Sequence, residues 1–223
     1  MMSEMNSINN LSARQIAVGK ALVFAIALLP LARLIWFAFT DQLGKNPIEF
    51  ITRSTGTWTL VFLCITLTVT PLRRLFGWNV LLRFRRMLGL FAFFYALLHF
   101  TIYIWFDKWF DLHSVWKDVV KRPFITVGFT AFLLLWPLAL TSTNAMVKRL
   151  GGKHWQALHR LVYVIVVLGV VHYWWHKAGK HDLLQPAIYA GVVAVLLGYR
   201  LWKGGFVWGA SFLRKRESMW ADK

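Results

Sequence analysis

Six runs of about twenty mostly apolar residues, at 18–39, 57–75, 87–106, 123–141, 155–175 and 183–202, constrain this chain more than any other feature. Runs of that length match the ~30 Å hydrocarbon core of a bilayer, where every backbone N–H and C=O must be satisfied inside the protein. They predict an all-α integral membrane protein built as a bundle of six transmembrane helices. Only 16% of the 223 residues are charged, against about a quarter in soluble domains. Pro30, Pro71, Pro137 and Pro186 fall within or at the ends of the runs, where membrane helices tolerate them.

Charge position sets the expected orientation. The formal net charge is +17, yet Lys and Arg cluster between apolar runs, so membrane lipids rather than nucleic acid are the expected acidic neighbours. The second connection carries Arg73, Arg74, Arg83, Arg85 and Arg86. The fourth carries Lys148, Arg149 and Lys153, with Arg160 just inside the next run, and the tail carries Lys203, Arg214, Lys215, Arg216 and Lys223. In the first connection Lys45 and Arg53 are offset by Asp41 and Glu49, and the third and fifth also mix in aspartates. The positive-inside bias then puts both termini in the cytoplasm. The expected layout is a cytoplasmic tail at 1–17, a transmembrane domain at 18–202 and a short basic cytoplasmic tail at 203–223. With no A-x-A site after it, the first run is expected to remain as an anchor. Tryptophans 58, 105, 109, 155, 174, 175 and 202 are expected in the interfacial aromatic belt.

Three of seven histidines lie inside runs: His99, His159 and His172. An ionisable side chain at bilayer depth is costly and faces a partner or a bound group. His113, His154, His176 and His181 are expected at the interfaces. Helical rise puts His99 about 18 Å, His159 about 6 Å and His172 about 25 Å from the cytoplasmic edge. His99 and His172 are thus the closest match in height. Two neutral imidazoles from facing helices suit the two faces of a haem, and filling both axial positions favours electron transfer over oxygen binding. The competing reading is a structural histidine bonded to a neighbouring helix. Zinc fits less well, because no acidic or cysteine ligand lies at that depth. Cys64 is the lone cysteine, so neither an intrachain disulfide nor a cysteine-ligated cluster can form.

His159 is less specified. A facing ligand would be needed thirteen or fourteen residues before His99, where Arg86 and Arg85 stand. Arginine is not an ordinary iron ligand, but it pairs well with carboxylate or phosphate. Arg86 is therefore a candidate contact for a haem propionate or a flavin phosphate, its alternative role being a topology determinant. On an ideal helix His159 and His172 point about 140° apart, so a bend or two separate sites would be required, and a second haem stays open.

The segments "NPIEFITRSTGTW" (46–58), "TPLRRL" (70–75), "RRMLGL" (85–90), "HFTIYIW" (99–105) and "GGKHWQALHRLVY" (151–163) together resemble the MsrQ (YedZ) family. These are haem-binding membrane subunits of the bacterial periplasmic protein-methionine-sulfoxide reductase system, related to the ferric reductase transmembrane domain. The resemblance implies a multi-pass protein of the bacterial inner membrane with haem b at His99, His159 and His172, and it associates the chain with FMN. It implies electron transfer from the quinone pool or a cytosolic flavin reductase. The acceptor would be a periplasmic molybdopterin-containing methionine sulfoxide reductase, forming a heterodimer with this chain, that repairs oxidised proteins. The chain would then be the electron-transfer subunit and not the catalytic one. About twenty residues follow the sixth run, too few for a flavin or nicotinamide domain, so donor and acceptor are expected on other proteins. Two readings compete: a stand-alone ferric reductase or quinol-oxidising cytochrome b, and a non-redox small transporter whose histidines relay protons.

Overall fold

The computed structural model describes residues 11–179 and 182–221, with side chains as far as 202. His181, residues 1–10 and the basic side chains of the expected tail, Lys203, Arg214, Lys215, Arg216 and Lys223, lie outside the described residues. The helices in chain order are α1 (Ala13–Phe39), α2 (Pro47–Phe76), α3 (Leu82–Ile102), α4 (Leu112–Lys121), α5 (Pro123–Leu140), α6 (Asn144–Leu150), α7 (Gly152–His159), α8 (Leu161–Ala178) and α9 (Leu184–Ala221). Six segments are long and apolar enough to cross a membrane: α1, α2, Asn79–Asp107, α5, Gly152–Ala178 and Leu184–Trp202. Among the described residues there is no strand. The protein is a six-span helical membrane protein.

Local chemistry sets the helix ends. Ser12 and Gln15 form a reciprocal capping box at the start of α1. At α2, Asn46 accepts from the Glu49 N–H and Pro47 occupies the first turn, while Arg73 and Arg74 sit in the last turn before Gly77, whose φ is 69°. Acid at the start, base at the end and a left-handed glycine beyond it suit the helix dipole and the αL cap. Polar residues within α2 are satisfied locally. Thr52, Thr59, Thr66 and Thr68 each donate to the carbonyl four residues earlier, as hydroxyls in membrane helices commonly do.

Packing is most extensive between α2 and α3 and between α5 and α8, and the two pairs also touch through α3 with α5 and α2 with α8. These four helices enclose the centre of the bundle. α1 packs against α2 and α3. Fully buried Tyr95 ties α3 to it by donating to the Ala27 carbonyl at 2.7 Å. Other apolar side chains of α1, such as Ile16 and Leu34, are buried, while Leu22, Ile26 and Trp36 are exposed, as a lipid-facing surface would be.

Three expectations need correction. Trp58 is no interfacial anchor: it lies well inside α2 and packs against Phe62 and Tyr95. The run at 155–175 is not one helix, because α7 ends at His159 and α8 restarts at Leu161. The third connection holds further structure. A π turn at Tyr103–Asp107 ends the α3 span, Trp109 and Phe110 adopt positive φ (47° and 59°), and Asp111 caps the amphipathic helix α4. Positive φ in two bulky residues is uncommon, and here it reverses the chain at the end of the span. Lastly, His176 is not in a connection but in the last turn of α8.

Candidate functional site

His99 sits in the last turn of α3, and His172 lies on α8 near its end. The fold brings them together: their ring centres stand 6.2 Å apart with the planes at 77°. The rings meet although helical rise from the apolar-run starts would put them about 7 Å apart in height.

Each imidazole is held by a helix other than its own. His99 Nδ1 lies 2.8 Å from the Thr52 carbonyl on α2, and His172 Nδ1 lies 2.7 Å from the Phe124 carbonyl on α5. A carbonyl only accepts, so Nδ1 must carry the proton on both rings and Nε2 keeps its lone pair. That is the tautomer of a metal-ligating histidine with its outer hydrogen bond made. One turn beyond each carbonyl stands a glycine that makes room for the ring. A Cβ at Gly56 would lie 3.0 Å from His99 Cε1, and one at Gly128 would lie 2.6 Å from His172 Nδ1. The same device, a carbonyl and then a glycine four residues on, occurs at Thr52/Gly56 and at Phe124/Gly128.

Both histidines line a cavity of about 450 Å³ enclosed by α2, α3, α5 and α8. Leu60, Phe100, Phe132 and Ile165 form part of its apolar wall, with Phe100 and Phe132 packed at 4.6 Å between ring centres. Its mouth opens beside the connection between α3 and α5, where Tyr103, Asp107, Arg122 and His176 join the lining. Next to the mouth, buried Asp118 of α4 accepts from Tyr103 at 2.9 Å and pairs with Lys108 at 2.5 Å and Arg122 at 3.4 Å. Burial pushes the Asp118 carboxyl up, but the bonds from Lys108 and Tyr103 and the charge of Arg122 outweigh it, holding it below the usual carboxylate range.

His159 is not part of this cavity. It ends α7, stacks on Trp155 with ring centres 3.8 Å apart, and points Nε2 to within 3.5 Å of the Ser142 hydroxyl. Arg160 alone separates α7 from α8, and His159 and His172 face different surroundings. Arg86 lies near the start of α3, bonded to Asn144 at 2.5 Å, and borders a separate cavity between α1 and α3 together with Lys20 and Arg83. Gly56 and Gly128, and the carbonyls of Thr52 and Phe124, carry no sequence signal that marks them; only the contacts reveal them.

The profile of the family described as ferric reductase like transmembrane component matches residues 23–170. Among curated proteins, the chain is 67% identical over 190 residues to the protein-methionine-sulfoxide reductase heme-binding subunit MsrQ of Herminiimonas arsenicoxydans, covering 85% of this chain and 87% of the relative. The subunit of the same name from Ralstonia nicotianae is 63% identical, with 83% of this chain and 84% of the relative covered. The one from Bordetella pertussis is 56% identical, with 86% and 92% covered.

Proposed function

We infer the function from one premise: the chain belongs to the ferric reductase like transmembrane family, among the heme-binding MsrQ subunits. It is accordingly a haem-binding membrane subunit of a protein-methionine-sulfoxide reductase system. We propose that its haem is of the b type, held by His99 on one face and His172 on the other.

The observation that carries this reading is the His99–His172 pair. Metal–nitrogen bonds of about 2 Å on either side of one metal, plus the two ring radii, set imidazole centres about 6 Å apart; the observed separation is 6.2 Å. Among the described residues no three His, Cys, Asp or Glu side chains converge as a site for a bare ion. Two imidazoles alone, facing each other across an apolar cavity, suit the axial positions of a macrocycle that supplies its own equatorial nitrogens. A haem bound there would supply a one-electron carrier. His99 and His172 bind and orient, the Thr52 and Phe124 carbonyls hold the protons at Nδ1, and Leu60, Phe132 and Ile165 keep water from the walls.

In this account the termini are cytoplasmic and the cavity mouth faces the periplasm. The chain takes electrons from the quinone pool or a cytosolic flavin reductase and passes them to a periplasmic molybdopterin-containing reductase docked outside. His159 and Arg86, at the other end of the bundle, are assigned to the donor side. There Arg86, with Lys20 and Arg83, offers cations to a propionate or to the phosphate of FMN. Reconstitution in liposomes tests the reading: methionine sulfoxide should reoxidise the reduced chain only when the molybdopterin reductase is present. Reduction of methionine sulfoxide by this chain alone, from a dye or quinol donor, would refute it.

A further inference from the structure

The cavity that holds His99 and His172 has one charged end. α2 and α5 both begin at the mouth, where Glu49, Arg53, Asp107 and Arg122 line it. Leu60, Leu63, Ala131 and Leu135 lie further along the same two helices and line its depth. A haem carries two propionates, and carboxylates do not settle among leucines at bilayer depth without a cationic partner. The polarity of the lining therefore fixes which edge of the porphyrin faces the mouth.

We propose that Arg53 and Arg122 bind the two propionates, so that the carboxylate edge of the haem faces the cavity mouth. The proposal rests on the axial assignment of His99 and His172 above. The two arginines come from the same helix starts that hold the imidazoles: Arg53 follows Thr52 on α2, and Arg122 stands two residues before Phe124 at the start of α5. Arg53 pairs with Glu49 at 3.5 Å and Arg122 reaches Asp118 through Nε at 3.4 Å. Both are longer than the 2.7–2.9 Å of a tight charge-assisted bond, so neither acid fully engages its guanidinium. Without the arginines the lining would keep Glu49 and Asp107, and two further carboxylates would be repelled. Arg86 cannot take this role for the same haem. It lies thirteen residues before His99, about 20 Å along the helix, and lines a different cavity.

The test compares haem b with its dimethyl ester, in which both carboxylates are blocked, on the full chain produced without haem and purified in detergent. The native chain should hold haem b about tenfold or more tighter than the ester, the size of a lost charge-assisted hydrogen bond. R53Q and R122Q should each reduce that preference and R53Q/R122Q should erase it, while the low-spin bis-imidazole spectrum of bound haem persists. R73Q/R74Q, in the last turn of α2 and away from both cavities, should leave the preference intact. Equal binding of haem and ester by the native chain overturns the proposal without any variant, and so does full preference in R53Q/R122Q or its loss in R73Q/R74Q. Loss of the low-spin haem in H99A and H172A alongside undiminished preference in R53Q/R122Q overturns the propionate assignment alone. Persistence of the bis-imidazole spectrum in H99A and H172A overturns the axial assignment beneath it.

Discussion

Gly128 is pressed against His172 so closely that a Cβ there would lie 2.6 Å from the ring Nδ1, the same atom that bonds the Phe124 carbonyl. The ring cannot swing away without breaking that bond, so a methyl group costs either the hydrogen bond or the ring position. Overpacking of this kind costs about 1–3 kcal/mol. G128A should therefore disturb its imidazole more than G56A disturbs His99, where the nearest ring atom would be at 3.0 Å. Haem content and the electron paramagnetic resonance signal of both variants check this; the loss should be larger in G128A.

Asp118 links α4 to the mouth of the cavity through Lys108, Tyr103 and Arg122. Its carboxyl is held below the usual range in the folded protein. A depressed carboxylate contributes stability that is present above its unfolded value, about 3.9, and is lost as pH falls through the folded value. The Asp118 contribution should thus be flat from pH 8 to 5 and fade only in strong acid. D118N should lower stability by about 2–3 kcal/mol at neutral pH, because Lys108 and Arg122 keep their charges without a counter-ion. Thermal unfolding in detergent against pH measures both effects.

The bond from Tyr95 to the Ala27 carbonyl joins α1 to the four-helix centre. Interhelical hydrogen bonds in membranes are worth about 1 kcal/mol. Y95F should lower the unfolding midpoint modestly and leave the haem spectrum unchanged, since Tyr95 does not line the cavity.

Arg86 ties the start of α3 to α6 through Asn144. R86A should loosen the 144–150 segment, so that trypsin cuts at Lys148 and Arg149 several-fold faster in vesicles that expose that face. The low-spin haem spectrum should not move.

Much of this fold is legible in the sequence, because run length alone separates a spanning helix from anything shorter. The His99–His172 pairing is legible too, through height, although the apolar runs misjudge where α3 and α8 begin. α3 starts at Leu82, five residues before the apolar run, and α8 starts only after the break at Arg160. What escaped was of two kinds. The helix α4 hides in a charged connection, although Leu112, Val115, Trp116, Val119 and Val120 repeat at helical spacing. Gly56 and Gly128 are ordinary glycines in apolar helices until the imidazoles they accommodate are seen. Arg53 and Arg122, proposed above for the propionates, are masked in another way, since beside Glu49 and Asp118 they look like balanced connection charges.

The most direct measurement is low-temperature electron paramagnetic resonance of the purified chain, with haem quantified in H99A, H172A and H159A. The native chain should give a low-spin bis-imidazole signal. H99A and H172A should each abolish that signal and lower haem content, and H159A should keep it, because His159 lies outside the cavity and bonds toward Ser142. Full haem with an unchanged low-spin signal in both H99A and H172A would contradict the account.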